Sequence, residues 1–215
     1  NEDPITKTVI DSRDFEDNPS VLMGDLFLDD AGGGNMEDNT YHVVVAKGTG
    51  AESIDSTTVL DGFFIYGGNA TGDTDSTSVG GGVYLTATGG GSCNPTLKRL
   101  IIFGNYAKEG GGMMLYAGTN SECCPMLDSI LFRGNYADGG AGLYCKALGG
   151  NCSPMLDIVD FNYNVLSGVY PGKGAAMLNY AENTTSAAEC SPVIKISEIS
   201  HHEGDIDGGA VYNLA

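Results

Sequence analysis

A glycine-led octamer recurs five times along the chain: GGGVYLTA at 80–87, GGGMMLYA at 110–117, GGAGLYCK at 139–146, GAAMLNYA at 174–181 and GGAVYNLA at 208–215. Successive copies start 30, 29, 35 and 34 residues apart. A second motif precedes each copy: TVLDGFFIYGGNA at 58–70, PTLKRLIIFGNYA at 95–107, PMLDSILFRGNYA at 125–137, PMLDIVDFNYNVL at 154–166 and PVIKISEISHHEG at 192–204. A chain with such a period builds one supersecondary unit several times and stacks the copies. Each unit reads as strand, tight turn, strand, loop. No helical periodicity intervenes, which excludes the helical repeat classes. A propeller blade needs about 40–50 residues and four strands, more than one unit supplies. The expected fold is therefore all-β: a right-handed single-stranded parallel β-helix, a solenoid of about five regular coils with less regular coils before them. It forms one continuous domain, with 1–57 as irregular N-terminal coils and an acidic excursion, and 58–215 as regular repeats.

Aligning the units produces columns. Leu60, Leu97, Leu127, Leu156 and Ile194 share one position. Phe63, Leu100, Ile130, Val159 and Ser197 share a second, and Ile65, Ile102, Phe132, Phe161 and Ile199 a third. The last two columns are two residues apart and face one side of a strand. Phe64, Ile101, Leu131, Asp160 and Glu198 lie between them and face outward. The column Asp61, Lys98, Asp128, Asp157 and Lys195 is charged, as a solvent-facing position should be. The third octamer position is always tiny, at Gly82, Gly112, Ala141, Ala176 and Ala210, and marks a crowded corner. At the turn between strands stand Asn105, Asn135 and Asn164, with Gly68 and His202 in the outer units. Asparagine tolerates the left-handed conformation, and its amide can bond its copy one unit away, giving a stacking ladder. Before residue 58, TKTVIDS at 6–12 and YHVVVAK at 41–47 read as strands, and 24–40 as an excursion.

The succession Leu60-Asp61-Gly62-Phe63, Gly67-Gly68-Asn69-Ala70, Gly80-Gly81-Gly82, Cys93-Asn94-Pro95 and Gly104-Asn105-Tyr106-Ala107, repeated downstream, resembles the repeats of bacterial surface proteins of the polymorphic outer-membrane protein type. It is equally similar to secreted, anchor-bearing parallel β-helix proteins. The resemblance covers 58–215. It implies a pectate-lyase-like β-helix, export from the cell and a passenger or stalk role, and it implies no catalytic residues.

The chain carries 10 basic and 28 acidic residues, a net charge of −18. Phosphate binding needs clustered Lys and Arg, so nucleic acid and anionic membranes are not expected partners, and no membrane insertion is expected. Six cysteines without a CxxC or Cys/His pattern suggest disulfides and an oxidising, extracellular compartment. Sequons at Asn69, Asn151 and Asn183 agree with a surface location. Cys93, Cys123, Cys152 and Cys190 each stand two residues before a proline, in one column. Stacked strands lie about 4.8 Å apart, within the range a disulfide spans. Of the 15 connectivities that six cysteines allow, the expected one links Cys93–Cys123 and Cys152–Cys190, leaving Cys124–Cys145; Cys145–Cys152 is an alternative.

Glycoside cleavage needs paired carboxylates. Asp29-Asp30 and Asp157 with Asp160 are the candidates, but the three arginines stand in different regions, so the chain is not read as an enzyme. His201-His202-Glu203 with Asp205 and Asp207 is a weak metal candidate, because neighbouring strand residues face opposite ways. Asp25, Asp29, Asp30 and Asp38 are the better candidates, for calcium, with Asp73 and Asp75 as a second acidic loop. The expected function is an extracellular structural or adhesive module, a stalk or passenger at the cell surface. A polysaccharide lyase or hydrolase is a lesser reading. A glycan- or receptor-binding module is the alternative, with Tyr66, Tyr84 and Tyr116 as stacking platforms. The chain could also associate with itself head to tail into a filament. Contacts for this would come from Phe64, Ile101 and Leu131, or from residues 1–20 added as a strand. The last octamer ends at Ala215 with nothing to cover it, so either truncation or a cap from another copy is expected.

Overall fold

The computed structural model describes residues 17–30, 35–167, 172–203 and 209–214. The expected strand at 6–12 and most of segment 1–20 lie outside them. The strands run, in chain order, β1 (Ser20–Met23) and β2 (Val44–Gly48); then β3 (Val59–Asp61), β4 (Phe63–Tyr66), β5 (Asn69–Ala70) and β6 (Val83–Ala87). The next units are β7 (Thr96–Phe103), β8 (Tyr106–Ala107) and β9 (Met113–Ala117); β10 (Met126–Arg133), β11 (Tyr136–Ala137) and β12 (Leu143–Leu148); β13 (Met155–Asn162), β14 (Val165–Leu166) and β15 (Met177–Glu182). The last are β16 (Val193–Ile194), β17 (Ile199–Ser200) and β18 (Val211–Leu214). No α-helix occurs among the described residues, only a 3₁₀ turn at Met36–Asp38.

These strands form three parallel sheets. The first runs β1-β4-β7-β10-β13-β16, with β3 and β17 joined to β7 and β13. The second is β5-β8-β11-β14, and the third β2-β6-β9-β12-β15-β18. The chain thus visits the sheets in the same order in every unit, and each strand lies beside its counterpart from the unit before and after. The N-terminal strands belong to the same sheets as the repeats, β1 against β4 and β2 against β6.

Register explains why the columns exist. Leu97, Leu127 and Leu156 are partners; so are Leu100, Ile130 and Val159, and Ile102, Phe132 and Phe161. All nine are buried, and each contributes roughly 1.5–3 kcal/mol by leaving water. Phe132 stacks on Phe161 with centroids 4.9 Å apart. The first and second columns are three residues apart, an odd spacing that strict alternation would send to opposite faces. The backbone resolves this: Gly62, Arg99, Ser129 and Ile158 all have positive φ, between 47° and 80°. One left-handed residue per unit resets the alternation, so both columns point inward.

Two sequence expectations are corrected here. The left-handed turn residue is not the asparagine but its predecessor, at Gly67, Gly104, Gly134, Tyr163 and His201. The asparagine side chain instead faces the interior. The third glycine octamer begins one residue later than its sequence suggests: Leu143, not Gly142, pairs with Met113. The small corner position is therefore Gly82, Gly112, Gly142, Ala176 and Ala210, with Ala141 one place ahead of it. A Cβ at Gly112 would sit 2.6 Å from the carbonyl oxygen of Gly142 and 3.0 Å from Phe132, which accounts for the restriction to tiny residues.

The charged column is also in register, and Lys195 pairs with Asp157 at 3.2 Å. Arg99 forms an ion pair with Asp61. The excursion at 24–40 carries no strand among its described residues.

Candidate functional site

Along β6, Val83 and Leu85 point into the core and Tyr84 and Thr86 point out. Register then builds two outward columns on the third sheet. One is Tyr84, Met114, Tyr144, Leu178 and Tyr212; the other is Thr86, Tyr116, Lys146, Tyr180 and Leu214. The middle of the first is buried although it faces away from the core, with Met114 only 2%, Tyr144 4% and Leu178 7% exposed. With Val79 these three make a second apolar cluster, against which the partly buried rings of Tyr84, Tyr116, Tyr180 and Tyr212 pack. A cavity of about 440 Å³ opens against this face, lined by Asp75, Tyr84, Glu109, Tyr116 and Lys146 among others. A second of about 240 Å³, lined by Lys108, Glu109, Tyr144, Lys173 and Tyr180, shares Lys108 and Glu109 with it.

Cations gather on this face. Lys146 bonds Glu109 at 3.0 Å and lies 5.5 Å from the Tyr144 ring centroid. Lys173 sits 4.6 Å over the ring of Tyr212. Lys108 donates to the Gly72 carbonyl at 2.9 Å. Three of the chain's ten basic residues thus line adjoining cavities on a molecule of net charge −18. Burial pushes the phenols of Tyr84 and Tyr144 upward, so both rings stay neutral and keep their hydroxyls as donors. Such a floor offers ring faces for stacking, and its edge offers charge-assisted bonds to an acidic group. Tyr84 and Tyr116 were legible in the sequence. Tyr66 lies elsewhere, stacked on Phe103 at 5.0 Å on the first sheet. Tyr144 was missed because the slipped third octamer put Leu143 in its place in the Tyr84 column.

The structure places Asp25, Asp29 and Asp38 together, with ligand oxygens within 4.8 Å of one another. Desolvation, and after it repulsion by Asp38, Asp25 and Asp30, holds Asp29 above the ordinary carboxylate value. Asp30 accepts a bond from the amide of Asn39 at 2.7 Å. Asp75, by contrast, borders the tyrosine cavity. His201 stacks on Tyr163 at 4.8 Å, and His202 takes the ladder position with Nδ1 3.4 Å from the Asn164 carbonyl. Those histidines and Glu203 do not converge, and Asp205 and Asp207 lie outside the described residues.

Asn105, Asn135 and Asn164 stand one above another, fully buried. The Nδ2 groups of the first two donate along the stack, Asn105 to Asn135 and Asn135 to Asn164, both at 3.0 Å. All three also bond a backbone carbonyl of the preceding unit, at Ile65, Ile102 or Phe132. The ladder starts on the Gly68 N–H, which donates to Asn105.

The expected disulfides Cys93–Cys123, Cys152–Cys190 and Cys124–Cys145 are not formed: all six cysteines are free thiols. Cys93, Cys123 and Cys152 do share an inward column, but each thiol donates to a carbonyl across the core, at Ala46, Leu85 and Leu115 respectively, at 3.6 Å. Cys190 does the same to Cys145 at 3.5 Å. Cys145 meets Cys152 and Cys190 in the interior, while Cys124 turns the other way, its sulfur accepting from Ser153 N–H at 3.1 Å. Adjacent residues of an extended segment face opposite sides, so Cys123 and Cys124 cannot both join the core. Burial raises the thiols of Cys123, Cys145 and Cys152, and pushes Cys124 up to about 11.

Phe64, Ile101 and Leu131 lie in register on the outer face of the first sheet, half-buried, with Val21 beside Phe64. Of the candidate acid–base pairs, Asp157 is engaged by Lys195 and Asp160 accepts from Glu198 N–H at 2.8 Å. Asp29 and Asp30 belong to the acidic cluster. No helix is long and apolar enough to cross a membrane among the described residues. The chain matches no protein-family model, no curated protein and no solved structure, so the resemblance to surface-protein repeats rests on the repeat motifs themselves.

Proposed function

We propose that the chain is a right-handed single-stranded parallel β-helix, a solenoid whose coils are the repeat units, exported to the cell surface as a structural and adhesive module. Its adhesive face is the third sheet, and its ligand is a surface glycan carrying acidic groups. The observation that supports this reading is the set of partly exposed rings Tyr84, Tyr116, Tyr180 and Tyr212 on the outer face of the third sheet, beside Lys108, Lys146 and Lys173 on a strongly acidic chain. Stacked rings recognise sugar faces and lysines recognise carboxylate or sulfate. A glycan array tests it. Binding is expected to acidic oligosaccharides, weakened at least about tenfold by Tyr116→Ala or Lys146→Ala, on the scale of one lost stacking or charge-assisted contact. An array without a ligand for the folded protein would leave the module as a stalk only.

A second reading is self-association into a filament. It is favoured by the line of Val21, Phe64, Ile101 and Leu131, where apolar side chains face away from the core. Light scattering at high protein concentration tests it: a strictly monomeric mass removes the filament.

A further inference from the structure

The excursion at 24–40 contains buried oxygens that the protein leaves unanswered. Asn39 is only 8% exposed, and its Oδ1 has no hydrogen-bond partner. Its Nδ2 bonds Asp30, so the amide lies at the carboxylate cluster. Asp30 Oδ1, Asp38 Oδ1 and Thr40 Oγ1 are likewise buried and unpartnered. An unmet buried acceptor costs roughly 1–3 kcal/mol, more when charged. Beside these atoms, the oxygens of Asp25, Asp29 and Asp38 converge within 4.8 Å. Asp25 is 7% exposed, so this is no fringe of solvated acids. The lysine and arginine ion pairs found among the described residues involve Asp61, Glu109 and Asp157. Among the described residues, the cluster thus has spare lone pairs and no ammonium or guanidinium partner.

We infer that Asp25, Asp29 and Asp38, with Asp30 and Asn39 beside them, form a calcium site that fastens the excursion onto the repeats. The donor set is all oxygen, which suits a hard cation and excludes soft transition metals. Calcium takes six to eight oxygens in a flexible shell and tolerates an uneven set completed by water, whereas magnesium demands near-octahedral order. The fastening follows from what the loop touches. Thr40 N–H donates to Gly24 and Asn69 N–H to Thr40, at 2.9 and 2.8 Å, and Asn69 Nδ2 donates to Met36 at 2.8 Å. Met36–Thr40 therefore bridges the acidic cluster to β5, the first strand of the second sheet. A cation there ties the loop to that strand. This inference is independent of the glycan reading.

The experiment uses the full chain freed of metal by chelator. Calorimetric titration with CaCl₂ should show one site, with a dissociation constant of about 10⁻³ M or tighter, as extracellular calcium modules have. The melting temperature should rise with Ca²⁺ and much less with Mg²⁺. Asp29→Asn is the clean variant, since Asp29 is the exposed member of the cluster and the substitution is the smallest change to its packing. It should weaken Ca²⁺ binding by at least about tenfold through the lost charge and ligand. Its metal-free melting temperature should be unchanged or higher, because a repulsive carboxylate is gone. Absence of both heat and melting shift at 10 mM Ca²⁺ (on the order of tenfold above that constant) in protein with an intact β-sheet circular dichroism spectrum would overturn the inference. So would equal shifts from Ca²⁺ and Mg²⁺, or unchanged binding in the variant.

Discussion

The repeat units and the excursion solve the same problem in opposite ways. In the units, every asparagine of the ladder finds its partner in a copy of itself one unit away. In the excursion, Asn39 has no copy. Its amide nitrogen reaches Asp30, but its oxygen and one oxygen each of Asp30 and Asp38 stay unmet. Repetition supplies hydrogen-bond partners automatically, because a donor–acceptor group placed at one level meets the same group at the next. A single-copy loop has no such supply and must draw on something outside the chain.

The sharpest test of that contrast is to remove one asparagine of each kind. Asn135→Ala strands the Asn105 N–H and removes one partner each from the Ile102 carbonyl, the Asn105 amide and the Asn164 oxygen. It should cost about 3–5 kcal/mol in chemical denaturation, as several buried groups lose partners at once. Asn39→Ala, in metal-free protein, should cost under about 1 kcal/mol, as a partly exposed aspartate can turn to water. Equal losses would dissolve the distinction.

Thiol chemistry tests whether the inside of the units is as closed as the burial implies. In native protein, alkylating reagent should modify Cys190 and then Cys124, the two partly exposed thiols, because hydrogen bonds with Cys145 and Cys152 lower the Cys190 thiol while burial raises Cys124. Cys93, Cys123, Cys145 and Cys152 should react at least about a hundredfold more slowly and only through unfolding. Mass spectrometry reads the order. Six modifications on denaturing without reductant are expected, and fewer would restore the disulfides that the structure lacks.

The smallest effect lies at the ladder's far end. His202 occupies an asparagine position, with Nε2 buried and unpartnered. Burial lowers its imidazole below the ordinary value of 6.5. The neutral form is therefore favoured on folding. The associated stability is present above pH 6.5 and is lost as the pH falls through the lower folded value. His202→Asn should remove that dependence, so that its stability falls less than the wild type's between pH 7.5 and pH 5. Denaturation curves of the two proteins at pH 5 and pH 7.5 measure it, and parallel pH responses would exclude a role for His202.

The columns were readable from sequence because each rests on one residue type at a fixed place in the unit. Leu97, Leu127 and Leu156 need no structure to be aligned, nor do the asparagines. The glycine octamer slipped because Gly140-Ala141-Gly142 can be matched to Gly110-Gly111-Gly112 in two ways that differ by one residue, and small side chains carry no signal to choose between them. The disulfides failed for a different reason. A shared column shows that sulfurs are neighbours but not which groups their hydrogens prefer, and here carbonyls across the core take them. The acidic cluster was legible as charge density, whereas the stranded oxygens of Asn39 and Thr40 appear only when burial and partners are known together.

The left-handed residue in each long strand has a further consequence. Gly62, Arg99, Ser129 and Ile158 share that conformation but nothing in side-chain chemistry. The backbone there is held by the columns on either side, so the position tolerates glycine, a cation, a hydroxyl and a branched aliphatic group in turn. Successive units therefore present one free letter each, spaced along the first sheet at the strand separation of about 4.8 Å. A surface of this kind behaves as a printed line with a fixed pitch: its text can be rewritten one character at a time while the frame that carries it stays unchanged.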